Sequence, residues 1–141
     1  MYAHLKKLPL LVALLCSAPI ATAQPVATSL SLQFQPDPVS FQGSSGGSQA
    51  TPNCGQIGTN PNHVVQLNDD FPHLRFTLQG AGQPTLWIRL PNGRTSCILA
   101  PANSTTINAP GYWERGTYAI YVGDRAGGSH PYTLTITQRR Q

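Results

Sequence analysis

The sequence predicts an all-β domain of short strands, and three observations carry that prediction. Beyond Ala23 no stretch repeats its apolar residues at helical spacing. Apolar and polar residues alternate instead over runs of five or six. The 141-residue chain also holds 13 glycines and 13 prolines, which punctuate those runs with turn-forming sequence.

The elements follow in order. Residues 29–34 (SLSLQF) alternate as a first strand, which Pro36 and Pro38 then interrupt. Residues 42–53 (QGSSGGSQATPN) have the Gly/Ser-rich composition of a flexible connector. On that basis residues 24–53 are expected to form an N-terminal arm and linker, with the compact domain spanning 54–141. Residues 63–67 form a strand that ends in the turn Asn68-Asp69-Asp70. Residues 74–78 place Leu74, Phe76 and Leu78 on one face. Residues 85–90 place Leu86, Ile88 and Leu90 on one face, with Trp87 and Arg89 on the other. Asn92-Gly93 is a hairpin turn because both residues tolerate positive φ, and residues 94–99 return. Residues 100–111 are polar and contain prolines, which predicts a loop. Residues 117–122 are apolar on both faces, as in the central strand of a sandwich. After a glycine-rich connection, Tyr132, Leu134 and Ile136 alternate with Thr133, Thr135 and Thr137, giving one buried and one solvent face.

The first 23 residues stand apart. Lys6 and Lys7, the apolar run from Leu8 to Cys16 and Ala21-Thr22-Ala23 make up a secretory signal peptide, cleaved after Ala23. The apolar run is broken by Pro9, Ser17 and Pro19 and falls short of the ~20 residues that a membrane span needs. The mature chain is thus expected to be periplasmic or secreted, with no membrane span. Cleavage removes Cys16 and leaves Cys54 and Cys97, an even pair that predicts one disulfide in an exported chain. The competing reading, a thiol nucleophile or metal site, would need both sulfurs reduced. Cleavage also removes both lysines, so the net charge falls from +4 to +2. The remaining arginines are scattered except for Arg139-Arg140, which excludes a basic nucleic-acid surface.

Three segments carry a family resemblance: "PTLWI" (84–88), "RGTYAIYVG" (115–123) and "YTLTI" (132–136). Their order and spacing resemble those of the bacterial pre-peptidase C-terminal domain over roughly residues 54–138. That resemblance implies a jelly-roll-like antiparallel β-sandwich without catalytic activity. Such domains accompany secreted peptidases or stand in other exported proteins, and some similar ones bind calcium, collagen or polysaccharide. Two departures matter. Gln83 stands where an acid often precedes the Pro-Thr-Leu, and residues 97–101 (CILAP) contain no acid. Calcium takes six to eight oxygen ligands, many from carboxylates, so it is disfavoured, and no other cofactor is expected. Within these residues no peptidase domain precedes the match.

Asp124, Ser129 and His130 share one loop and suggest a hydrolytic triad. The loop lacks a strained nucleophile elbow and its glycines suggest mobility, so a hydrogen-bonded, solvated connection is the expected reading. Glu114 is the sole glutamate, which leaves little for paired-carboxylate glycoside chemistry. His63, His73 and His130 share no ligand spacing and are read as surface residues. Binding fits better. Trp87 and Arg89 share a face, and Tyr112, Trp113 and Arg125 are further candidates for stacking on sugar rings or partner side chains. The opposing reading places both tryptophans in the core.

The sequence therefore describes an exported, non-enzymatic β-sandwich that binds an extracellular or envelope polysaccharide or protein. The alternatives are a secreted hydrolase or protease-associated factor and a structural envelope component.

Overall fold

The computed structural model of the protein describes residues 16–20 and 24–140. The expected signal peptide therefore lies, apart from residues 16–20, outside the described residues. Eleven strands follow in order: β1 (Ala27–Leu30), β2 (Val39–Ser44), β3 (Gln49–Ala50), β4 (Gln56–Ile57), β5 (His63–Leu67), β6 (Phe71–Gly80), β7 (Pro84–Arg89), β8 (Thr95–Leu99), β9 (Thr106–Trp113), β10 (Gly116–Asp124) and β11 (Pro131–Thr137). No helix occurs among the described residues.

The strands form two sheets. The larger is organised around β10, which pairs antiparallel with β5 along Gly116–Ile120 and with β7 along Ala119–Asp124. At Asp124 it also meets β4. β1 lies outside β5 and runs parallel to it, β8 lies outside β7, and β3 extends β4. The smaller sheet has the order β2-β11-β6-β9 and is antiparallel throughout. The antiparallel sandwich expected from the sequence is the fold found, with β1–β5 as a parallel exception.

The alternating patterns aim their apolar residues into the space between the sheets. Val65, Leu86, Ile120 and Val122 of the larger sheet meet Phe76, Leu78, Leu134 and Ile136 of the smaller, all of them buried. Each such side chain contributes roughly 1.5–3 kcal/mol when fully removed from water. Tyr132 crosses between the layers. Its hydroxyl shares a 2.8 Å hydrogen bond with His63 Nε2, and burial pushes that hydroxyl up to about 12, so it keeps its proton.

Three expectations are corrected. Residues 24–53 are not an arm and linker, because β1, β2 and β3 all enter the sheets. β2 pairs with β11 over six residues, and Leu30 and Phe34 join the core. The glycines that suggest flexibility are packing positions. A Cβ on Gly43 would overlap the Tyr132 ring. The Ser45 and Gly46 amides donate to the carbonyls of His130 and Val122. Next, of residues 100–111, expected to form a loop, 106–111 belong to strand β9. Pro110 obscures it, but β9 is an edge strand, where a residue without an N–H can face solvent. Finally, Thr137 does not face solvent: it is buried and donates to Asp37 Oδ1 at 2.6 Å.

The bridge Cys54–Cys97 forms as the cysteine count predicts, closing a separation of 43 residues. Chain entropy puts its contribution at about 4 kcal/mol. Replacing both cysteines with serine should lower the urea unfolding free energy by roughly 2–4 kcal/mol, with the folded far-UV spectrum retained.

Burial holds His63 below its ordinary value of 6.5. The unfolded chain therefore takes up the proton first as pH falls, so stability rises with pH in this window. The stabilisation from neutral His63 is complete above pH 6.5 and is lost as pH drops through the lowered folded value. The urea midpoint of the parent should fall more between about pH 7 and pH 5 than that of His63→Gln.

Candidate functional site

The outer face of the larger sheet carries a compact aromatic and cationic group. Cross-strand register sets Cys97, Trp87 and Tyr121 side by side on β8, β7 and β10. Inward residues on either side of Trp87 fix its outward direction, as the alternation predicts. The Tyr121 ring meets Trp87 edge-on at 4.9 Å between centroids and 78° between planes. Arg89, two residues along β7 and exposed, holds its guanidinium carbon 5.8 Å from the Trp87 centroid and 6.0 Å from that of Tyr121. Such exposed cation–π contacts contribute about 0.5–1 kcal/mol each and restrict the arginine head.

The disulfide builds a wall beside this group. Because Cys97 is the cross-strand neighbour of Trp87, its bridge brings the 51–55 turn alongside the indole. The turn is closed by its own hydrogen bonds: Cys54 N to Thr51 Oγ1 at 2.9 Å, and Thr51 Oγ1 to Gly55 O at 2.7 Å. Buried Thr85 adds a bond from Oγ1 to Cys54 O at 2.6 Å. A pocket of about 250 Å³ results, lined by Thr51, Pro52, Asn53, Cys54, Trp87, Thr95 and Cys97.

The other candidate residues lie elsewhere. Trp113 closes one end of the core. Its ring packs on Phe76 at 4.2 Å and Tyr118 at 5.3 Å, and its Nε1 donates to Leu74 O at 3.1 Å. Tyr112 is exposed on β9, and together with Trp113 it borders a groove of about 390 Å³ between β8 and β9. Arg125 borders a third hollow, of about 480 Å³, among the loops that follow β6, β8 and β10. The five candidates are thus distributed over three places: Trp87 and Arg89 in contact at the first, Tyr112 and Trp113 along the second, and Arg125 at the third. Tyr121 is the partner that sequence reasoning missed. It lies 34 positions beyond Trp87, and only the pairing of β7 with β10 brings it there.

The 124–130 loop is the hydrogen-bonded, solvated connection expected, exposed at Arg125, Ala126, Gly127 and Ser129, but its bonds tie it down more closely than its glycines suggest. Asp124 is fully buried, accepting from His130 Nδ1 at 2.8 Å and from the Ala126 amide at 2.7 Å. His130 N donates to Ser45 Oγ at 3.1 Å, and Arg125 N donates to Gln83 O at 3.0 Å. Gly82 is needed above the pair, because a Cβ there would overlap Asp124 Oδ2 and the His130 ring. The three histidines are not free surface groups either: His63 bonds Tyr132, His73 has its Nε2 buried, and His130 is clipped to Asp124. Among the described residues, no nucleophilic side chain is hydrogen-bonded to the His130 ring, and no three His, Cys, Asp or Glu residues gather to hold a metal ion.

No protein-family model matches the chain. Over 133 residues it is 37% identical to an uncharacterized protein of Synechococcus elongatus, an alignment that covers 92% of this chain and 95% of that protein. The chain belongs to that protein's family. Among solved structures it is similar to the pre-peptidase C-terminal domain of a collagenase from Bacillus anthracis. The TM-score is 0.51 at 16% identity, covering 83% of this chain and 100% of that domain. At that identity the likeness shows the fold alone: the sandwich that the three strand motifs imply is a pre-peptidase C-terminal-like one.

The Asp124 contacts define a stability test. Asp124→Ala should lower the urea unfolding free energy by about 2–3 kcal/mol, the range for a buried, charged hydrogen-bond acceptor. Asp124→Asn keeps an acceptor for Ala126 N and should recover part of that loss.

Proposed function

We propose that the protein is an exported, non-catalytic binding module whose ligand is an extracellular or envelope polysaccharide. The observation that carries this is the Trp87–Tyr121–Arg89 group beside the rigid 51–55 turn. A half-buried indole next to a shallow pocket supplies the flat apolar surface that a sugar ring stacks on, and the pocket's Thr51, Asn53 and Thr95 supply hydroxyl and amide groups for its hydroxyls. The walls are held by a covalent bridge and by hydrogen bonds, so little order remains to be imposed on binding.

Export is supported by the leader-like residues 1–23 and by a bridge of the kind that persists in oxidising compartments. Periplasmic and secreted locations both satisfy it. A non-catalytic role is supported by the Asp124–His130 pair, whose hydrogen bonds hold a loop in place.

The test is retention of the oxidised protein on a panel of immobilised neutral and acidic polysaccharides and on envelope extract, beside a Trp87→Ala, Arg89→Ala double variant. The parent should be retained on at least one polysaccharide, with affinity reduced at least about tenfold in the variant, since aromatic and arginine anchors carry most of the energy of such surfaces. Retention of a protein in place of any polysaccharide would reassign the ligand class. No retention, or equal retention of both proteins, would sink this surface as the site.

A further inference from the structure

Arg89 is a cation without an anion. Its head lies against two rings on the outer face of the larger sheet, and among the described residues it makes no ion pair. The five acids of the chain explain why none is at hand. Asp37 holds Thr137 and lies 3.8 Å from Arg139. Asp69 accepts from Leu32 N and Asp70 from Arg115 N. Asp124 is buried on His130, and Glu114 sits in the turn between β9 and β10. The pocket lining beside Trp87 contains no acid at all. Thr95, the cross-strand partner of Arg89 and part of that lining, adds a hydroxyl donor from the neighbouring strand.

We infer that the ligand is an acidic glycan, a polymer of uronic acid units. Its sugar ring packs on Trp87 while its carboxylate takes the open fork of Arg89 with the Thr95 hydroxyl beside it. This rests on the polysaccharide reading above and narrows it. A guanidinium presents paired donors that match the two oxygens of a carboxylate, and the ring contacts hold it ready for them. The single charge of one arginine matches the single charge of one uronate per ring.

The test compares polygalacturonate with its fully methyl-esterified form, the same backbone without the charge, followed by tryptophan fluorescence and affinity electrophoresis. Dextran sulfate and dextran form a second pair. The variants are Arg89→Gln and Arg140→Gln, which remove equal charge from the site and from the exposed C-terminal tail. The acid form should bind at least about tenfold more tightly than the ester. Arg89→Gln should bring it down to the ester's affinity, while Arg140→Gln should change it by less than about twofold. Equal binding of acid and ester would overturn the inference and leave the polysaccharide reading standing. Equal losses in both variants would overturn it in favour of general charge attraction, and a preference for dextran sulfate over polygalacturonate would overturn it in favour of a sulfated ligand. If neither galacturonan binds, the inference falls, and binding of a neutral polysaccharide then decides whether the broader reading survives.

Discussion

The hydrogen-bond ladder of β10 joins the core, the Trp87–Tyr121–Arg89 group and the loop pinned by Asp124. One edge of the strand is shared by β5 and β4 and the other is taken by β7. In the gap between β5 and β4 the Val122 amide donates to Asn62 Oδ1 while its carbonyl accepts from the Gly46 amide. Its two faces then do different work. Tyr118, Ile120 and Val122 fill the space between the sheets, while Tyr121 turns outward beneath Trp87. Its last residue, Asp124, is buried and pins the loop that leads to β11. A displacement of this strand by one residue would exchange the two faces, sending Tyr121 inward and Ile120 out, so core and surface group depend on the same register.

The covalent bridge stabilises the fold and shapes the surface at once. Cys54 is fully buried within the 51–55 turn, and Cys97 lies on the exposed edge strand β8. Tying them together constrains the unfolded chain. It also sets the wall of a pocket at a fixed distance from Trp87. At the proposed site, which is shallow and would bury little ligand surface, preorganisation of this kind limits the flexibility lost on binding. The Thr85 hydroxyl on the Cys54 carbonyl acts in the same direction, joining the turn to the floor of the sheet.

Most strands were legible from the residues: β6, β7 and β11 lie where alternation puts them, β10 where a run apolar on both faces does, and the hairpin at Asn92-Gly93 joins β7 to β8. Residues 29–34 also alternate but are strand only to Leu30, because the chain turns at Leu32 and Gln33. Two strands were hidden by composition. β2 is half Gly and Ser and carries Gly43 because the Tyr132 ring occupies the space above it. β9 contains Pro110, which an edge strand tolerates and an interior one does not. In both cases the reason for the residue is a neighbour or an open edge that lies far away in sequence. The same holds for Asp124, whose glycine-rich surroundings suggest mobility while Ser45 and Gln83, distant along the chain, hold the loop still.

By itself the sequence determined the all-β class, the inward faces of most strands, the pairing of Cys54 with Cys97, and the outward direction of Trp87 and Arg89. These depend on local alternation and on counting, which need no knowledge of who lies beside whom. Only the tertiary structure decided that residues 27–50 belong to the sandwich, that Trp113 closes the core while Trp87 borders a pocket, and that Tyr121 stands against Trp87 with Arg89 over both rings. Those facts follow from strand order and register, which are set by the packing of the whole chain and leave no mark in any one stretch of it.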